Sequence, residues 1–177
     1  MKQAVILVAI AAMVACANAQ AQEQSLSDLD AAAAIAAGAR EKTRRHGLVL
    51  AEATPFRLEA FTPTTWIRQL AADFAREDHV LTANNLPLDA RDPVLRLVVQ
   101  PARSVEHVVL RNKTKTIVIR PLTEERVGDD RLRATFALDA LRALRGPQQR
   151  DAVLITVIDA NGEKDVEVTS DQFDRLR

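Results

Sequence analysis

The chain has 177 residues with 24 basic and 24 acidic side chains, a balance that gives no electrostatic reason to expect nucleic acid or a strongly acidic partner. It has no tyrosine, one tryptophan (Trp66) and one cysteine (Cys16). That composition argues against stacked-aromatic surfaces for sugars or single strands, and against a disulfide framework.

Lys2 and the apolar run 4–15 read as a leader whose apolar part is too short to span a membrane, which takes about 20 residues. Two small-x-small sites follow, Ala17-Asn18-Ala19 and Ala19-Gln20-Ala21, so residues 1–19 are expected to be a signal peptide. The alternative is a lipoprotein anchored through Cys16, since Val14-Ala15-Cys16 resembles the end of a lipobox, although Met13 stands where leucine is usual. Cleavage after Ala19 leaves 158 residues with no cysteine, a size that suits one domain burying about 70% of its unfolded surface. Arginine outnumbers lysine 19 to 5 and alanine is abundant, which points to a GC-rich bacterial genome, and with the leader a secreted or periplasmic protein is expected.

Residues 25–45 read as a helix with Ser27 as N-cap, acidic residues first, basic residues last, and Gly47 as its stop. Leu26 and Leu29 share a face, but Ile35 lies about 180° from Leu26 and alanine fills the rest. Residues 20–46 are therefore expected to form a loosely packed Ala-rich arm. The domain proper is expected over 47–177. After one or two short strands in 47–61 comes an inserted amphipathic helix, 63–80, capped by Thr62 and Pro63. Its stripe of Trp66, Ile67, Leu70, Ala71, Phe74 and Ala75 reads as core packing.

Beyond the turn formers of 83–93 the period changes to two. "VLRLVVQ" turns Leu95, Leu97 and Val99 to one face, and "SVEHVVLR", "KTIVIRP" and "RLRATFAL" follow. A short helical corner, 139–147, leads to "AVLITVID", apolar on both faces and so a central strand. Asn161-Gly162 predicts a type I′ hairpin into the last strand. Seven strands result, and the order strand, helical corner, buried strand, hairpin resembles the end of immunoglobulin-like and fibronectin-type folds. The fold class expected is mainly β (α+β): an immunoglobulin/fibronectin-like antiparallel β-sandwich with N-terminal helices.

The chemistry is sparse. His46, His79 and His107 lie in no metal-ligand spacing. Ser104 and His107, three apart on a strand, point to opposite faces and cannot act as nucleophile and base. Asp159, Asn161, Glu163 and Asp165 superficially suggest calcium, but Gly162 falls at the wrong position for an EF-hand loop. Arg111, Lys113, Lys115 and Arg120 make a basic hairpin that suits edge protection better than anion binding. No catalytic, cofactor or metal site is assigned. The function expected is an exported, non-enzymatic module that contacts an unknown protein or cell-envelope partner, with no nucleic acid and no membrane span, its oligomeric state left open. The enzymatic or ligand-binding alternative is a site assembled around His107, with Glu106 and His79.

Overall fold

The computed structural model describes residues 25–53, 56–145 and 152–176. The leader, Cys16 and the Gly146-Pro147 turn lie outside them.

The described residues form a mainly β protein of two antiparallel sheets with nine strands, and no helix among them is long and apolar enough to cross a membrane. The first sheet runs β1-β2-β3-β7-β6, from Leu48–Ala53 (β1), Phe56–Phe61 (β2), Val94–Gln100 (β3), Thr123–Val127 (β6) and Arg131–Ala137 (β7). The second runs β5-β4-β8-β9, from Val105–Asn112 (β4), Val118–Ile119 (β5), Val153–Asp159 (β8) and Gly162–Val168 (β9). Alternate residues of both sheets meet in one core: Leu95, Leu97 and Val99 of β3 and Leu132, Ala134 and Phe136 of β7 face Val108 and Leu110 of β4 and Ile155 and Val157 of β8. Each large side chain so buried contributes about 1.5–3 kcal/mol. As its two apolar faces require, β8 is an inner strand, between β4 and β9. Two short helices, Ala140–Leu144 (α3) and Ser170–Arg175 (α4), close the ends of this core through Leu141, Leu144 and Phe173.

The two strands beyond the expected seven sit at sheet edges. β6, "TEERV", breaks the apolar alternation because its core-side residues are Glu124 and Arg126, opposite Ala134 and Leu132. Inward charge is a known means of blunting a sheet edge. Here both charges bridge to the other sheet. The Glu124 carboxylate accepts the Val108 N–H at 2.7 Å, and Arg126 donates to the carbonyls of Ala102 and Val105 at 2.8 and 2.6 Å. Beyond the two residues of β5, side chains thus satisfy an edge that a strand would otherwise cover.

The helices form a second, smaller cluster on the outer face of the first sheet. The helix Asp28–Arg40 (α1) keeps its expected cap, with Ser27 accepting from Asp30, but stops at Arg40 rather than 45. Lys42, Arg44 and Arg45 bring no apolar side chain to bury, and the chain turns there toward β1. The helix Pro63–Arg76 (α2) has the expected Thr62 capping box and ends four residues short of 80. Asp78 takes a positive φ of 56°, and the His79 N–H donates to the Phe74 carbonyl, closing the end.

The stripe of α2 packs with α1 rather than with the β core. The large residues are not placed as the helical phase predicts: Leu26, ahead of the Ser27 cap, packs with Ile35 on the same cluster, and Leu29 is 80% exposed. What side-chain area leaves out is close approach: Ala31, Ala34 and Gly38 are buried, and a Cβ on Gly38 would stand 2.2 Å from the Arg68 carbonyl oxygen. Small residues let the two backbones meet where large ones could not. The arm is also tied at its start, where the Leu26 N–H donates to the Arg91 carbonyl and Asp28 pairs with Arg91, so the close approach at Gly38 is one of several holds. Gly38→Val should push the helices apart and open residues 28–46 to limited proteolysis, while the sheets keep a cooperative melt. Equal protease resistance in both proteins would show that the close approach is not what holds the arm.

The β8–β9 hairpin forms, but its turn is not type I′. Asp159 pairs with Gly162, so the two turn residues are Ala160 and Asn161, and the positive φ falls on Gly162 alone, at 123°. A Cβ there meets no atom within 4 Å, so a substitution costs only backbone strain. Gly162→Val should lower stability by about 1–3 kcal/mol in chemical denaturation, and Asn161→Gly by a few tenths.

Candidate functional site

Strand alternation puts Arg57, Glu59, Phe61, Arg96, Val98, Gln100, Arg131 and Arg133 on the outer face of the first sheet. The helix α2 covers the part nearest Phe61 and Arg96. The remainder forms a cleft of about 150 Å3, walled by Trp66, Gln69, Asp73 and Arg76 of α2 and floored by Val98, Gln100, Val127, Arg131 and Arg133.

Trp66 is its hinge point. Phe61 meets the indole edge-on, with centroids 5.4 Å apart, and the guanidinium carbons of Arg96 and Arg133 lie 5.5 and 5.4 Å from the ring centroid. Each such cation–π contact contributes about 0.5–2 kcal/mol, more when dry. Arg96 is buried and held by the carbonyl and carboxylate of Asp89, while its Nε and Nη1 have no partner among the described residues. Burial pushes its pKa down, with Asp89 opposing.

The cleft carries four arginines against two carboxylates. Glu59 is shared by Arg57 at 2.6 Å and Arg45 at 3.4 Å, and Asp73 is bound by Arg76 and, at 2.8 Å, by Gln69. Arg133 has only Glu125 at the rim. The exposed Arg131 guanidinium has no hydrogen bond or ion pair to a described residue. Sequence reasoning placed Trp66 in the core and missed this cleft, because nothing local signals that α2 lies over β3 and β7.

The residues the sequence singled out do not gather. The histidine β4 turns outward, His107, meets Glu124, not Glu106 or His79: Nδ1 lies 2.8 Å from the Glu124 carboxylate. A bulge between Val105 and His107 leaves Glu106 and His107 both exposed. His79 lies three residues beyond α2, edge-on to Phe74. His46 does not end α1; its N–H donates to Gln69 and its half-buried ring lies near Leu48 and Thr62.

The acidic loop and the basic hairpin spend their charges largely on each other. Arg111 grips Glu163 through two bonds of 2.5 and 2.8 Å, Lys115 meets Asp165 at 2.6 Å, and Lys164 meets Asp159 at 2.9 Å. Among the described residues no group of three or more His, Cys, Asp or Glu could hold a metal ion.

These contacts set a pH dependence. Burial, partly offset by Glu41, holds the His46 pKa below 6.5, so the unfolded chain binds the proton more readily than the folded one. Stability then falls as pH drops through about 6.5 and levels off below the folded pKa. The hydrogen bonds of Arg111 and Lys164 hold Glu163 and Asp159 below the usual carboxylate range. For Asp165, burial pulls upward, but Lys115 and Thr156 outweigh it. These carboxylates stabilise above about pH 4, and their contribution is lost on further acidification. Melting temperatures measured from pH 8 to pH 2 should descend in two windows, and His46→Gln should abolish only the upper one.

No family model, no curated protein and no solved structure matches the chain.

Proposed function

We propose that this chain is an exported, non-enzymatic binding module built on an immunoglobulin/fibronectin-like sandwich, and that it meets a protein or cell-envelope partner through the α2 cleft. The sandwich reading is supported by strand order. With β1 set aside, β2-β3-β7-β6 and β5-β4-β8-β9 follow the A-B-E-D and C′-C-F-G arrangement of that architecture.

The observation that carries the binding reading is the lining of the cleft: a single tryptophan among arginines, the residue types that dominate interface energetics. The lining has no serine, cysteine, histidine or lysine with which to begin nucleophilic or acid–base chemistry, and arginines engage both of its carboxylates. Export rests on the leader. Intact mass should give an N-terminus at Gln20 or Gln22; a diacylglyceryl increment on Cys16 would instead make the chain an anchored lipoprotein.

Photo-crosslinking in the producing cells tests the surface. A crosslinker at Val127, in the cleft, should yield a discrete adduct that the same group at Glu167, on the second sheet, does not. Identical adducts from both positions, or none from Val127, would remove the cleft as the contact surface.

A further inference from the structure

We propose that the α2 cleft is a receptor for an acidic, extended peptide segment of a partner protein, with carboxylates two residues apart. This rests on the binding-module reading above and names the chemistry of the partner. The chain as a whole is neutral, so the excess of positive charge in the cleft is a local arrangement. Two of the four cleft arginines, Arg45 and Arg76, are matched by Glu59 and Asp73. The other two, Arg131 and Arg133, have between them one ion pair to a described residue, with the rim carboxylate of Glu125, which is 59% exposed. Beneath Trp66, the buried Arg96 adds a further cation, held from one side by Asp89. Among the described residues, no carboxylate pairs with Arg131 on the open side.

The spacing says what shape that counter-charge takes. Arg131 and Arg133 alternate on β7 and share its outer face, opposite Val127 and Glu125 of β6. Alternate residues on a strand stand about 7 Å apart, and so do alternate side chains of an extended peptide. A segment with acids at positions i and i+2 would therefore place one carboxylate on each guanidinium, as a bidentate pair or a single charge-assisted bond. Trp66 and Val98 line the same cleft and offer apolar surface beside those two contacts. Recognition of this kind depends on partly exposed charges, so it weakens with salt.

The test is selection of a displayed random peptide library on the folded protein. Pools should become enriched in peptides with Asp or Glu two residues apart. Synthetic peptides from the pool should shift the emission of Trp66, the only tryptophan, and bind at least tenfold more weakly at high salt. Arg131→Gln should weaken them similarly, and because the guanidinium makes no hydrogen bond or ion pair to a described residue, its melt should match the parent protein. The double variant Arg131→Glu, Arg133→Glu should no longer select acidic peptides, provided its circular dichroism melt remains cooperative. Apolar or basic peptides that bind and shift Trp66 would overturn the acidic specificity while leaving the binding-module reading intact. An acidic pool that binds Arg131→Gln as tightly as the parent would place its contact elsewhere and overturn the proposal. So would a failure to enrich any peptide, or binding by sulfated polysaccharide alone; the crosslinking experiment would then decide the broader reading separately.

Discussion

A guanidinium buried in the middle of a strand governs how the rest of this molecule is arranged. Arg96 sits between Leu95 and Leu97 on β3, so when those two enter the core it must point the other way. Left under apolar cover without partners, an ion there would cost several kcal/mol. The 3-10 turn Leu88–Arg91 supplies the answer by bringing the carbonyl and carboxylate of Asp89 to Nη2, and Trp66 supplies a π face. Both partners lie on segments outside the sheet. Holding Arg96 thus fixes α2 over β3, and α2 in turn gives α1 a surface to rest on.

That placement divides the outer face of the first sheet. The part near Phe61 is covered, and the part bearing Val98, Arg131 and Arg133 stays open beside the helix. The cleft is the step between the two. The helix pair adds little to the β core, with which its cluster shares no buried residue. Its structural consequence is the recess, and a recess lined by tryptophan and arginine is what a flat outer sheet face could not provide.

Much of the β core was legible in the sequence, because a strand buried on one face announces itself by alternation. Leu132, Ala134 and Phe136 go inward as their spacing requires, and β8 is central as its double apolar face requires. β6 was not legible for the same physical reason turned round: its inward residues are Glu124 and Arg126, whose partners are backbone groups of a distant strand. The turn at Asn161-Gly162 was read correctly as a hairpin and wrongly in type, since the register that makes Gly162 pair with Asp159 is set by both strands together. For the cleft, Trp66 carried the right helical phase, but phase gives a direction and not the element met there. Nothing local marks Arg96 as buried, because the helix above it is thirty residues away in sequence.

The two outer faces show why charge counting over the whole chain conceals a local surface. On the second sheet, basic residues of β4 and its following turn meet acids of β9 in opposite pairs, Arg111 with Glu163 and Lys115 with Asp165, while Lys113 and Arg120 stay exposed. Exposed pairs of this kind contribute little stability, about 0–1 kcal/mol each, but each pair takes up a charge that could otherwise attract a partner. On the first sheet the pairing is incomplete. Among the described residues, Arg133 meets an acid at the rim and Arg131 meets none, and a buried cation lies close by. An overall balance of charges therefore combines one face whose central cations meet acids across the sheet with one whose cations do so only in part. The second is the face the helix has shaped into a cleft.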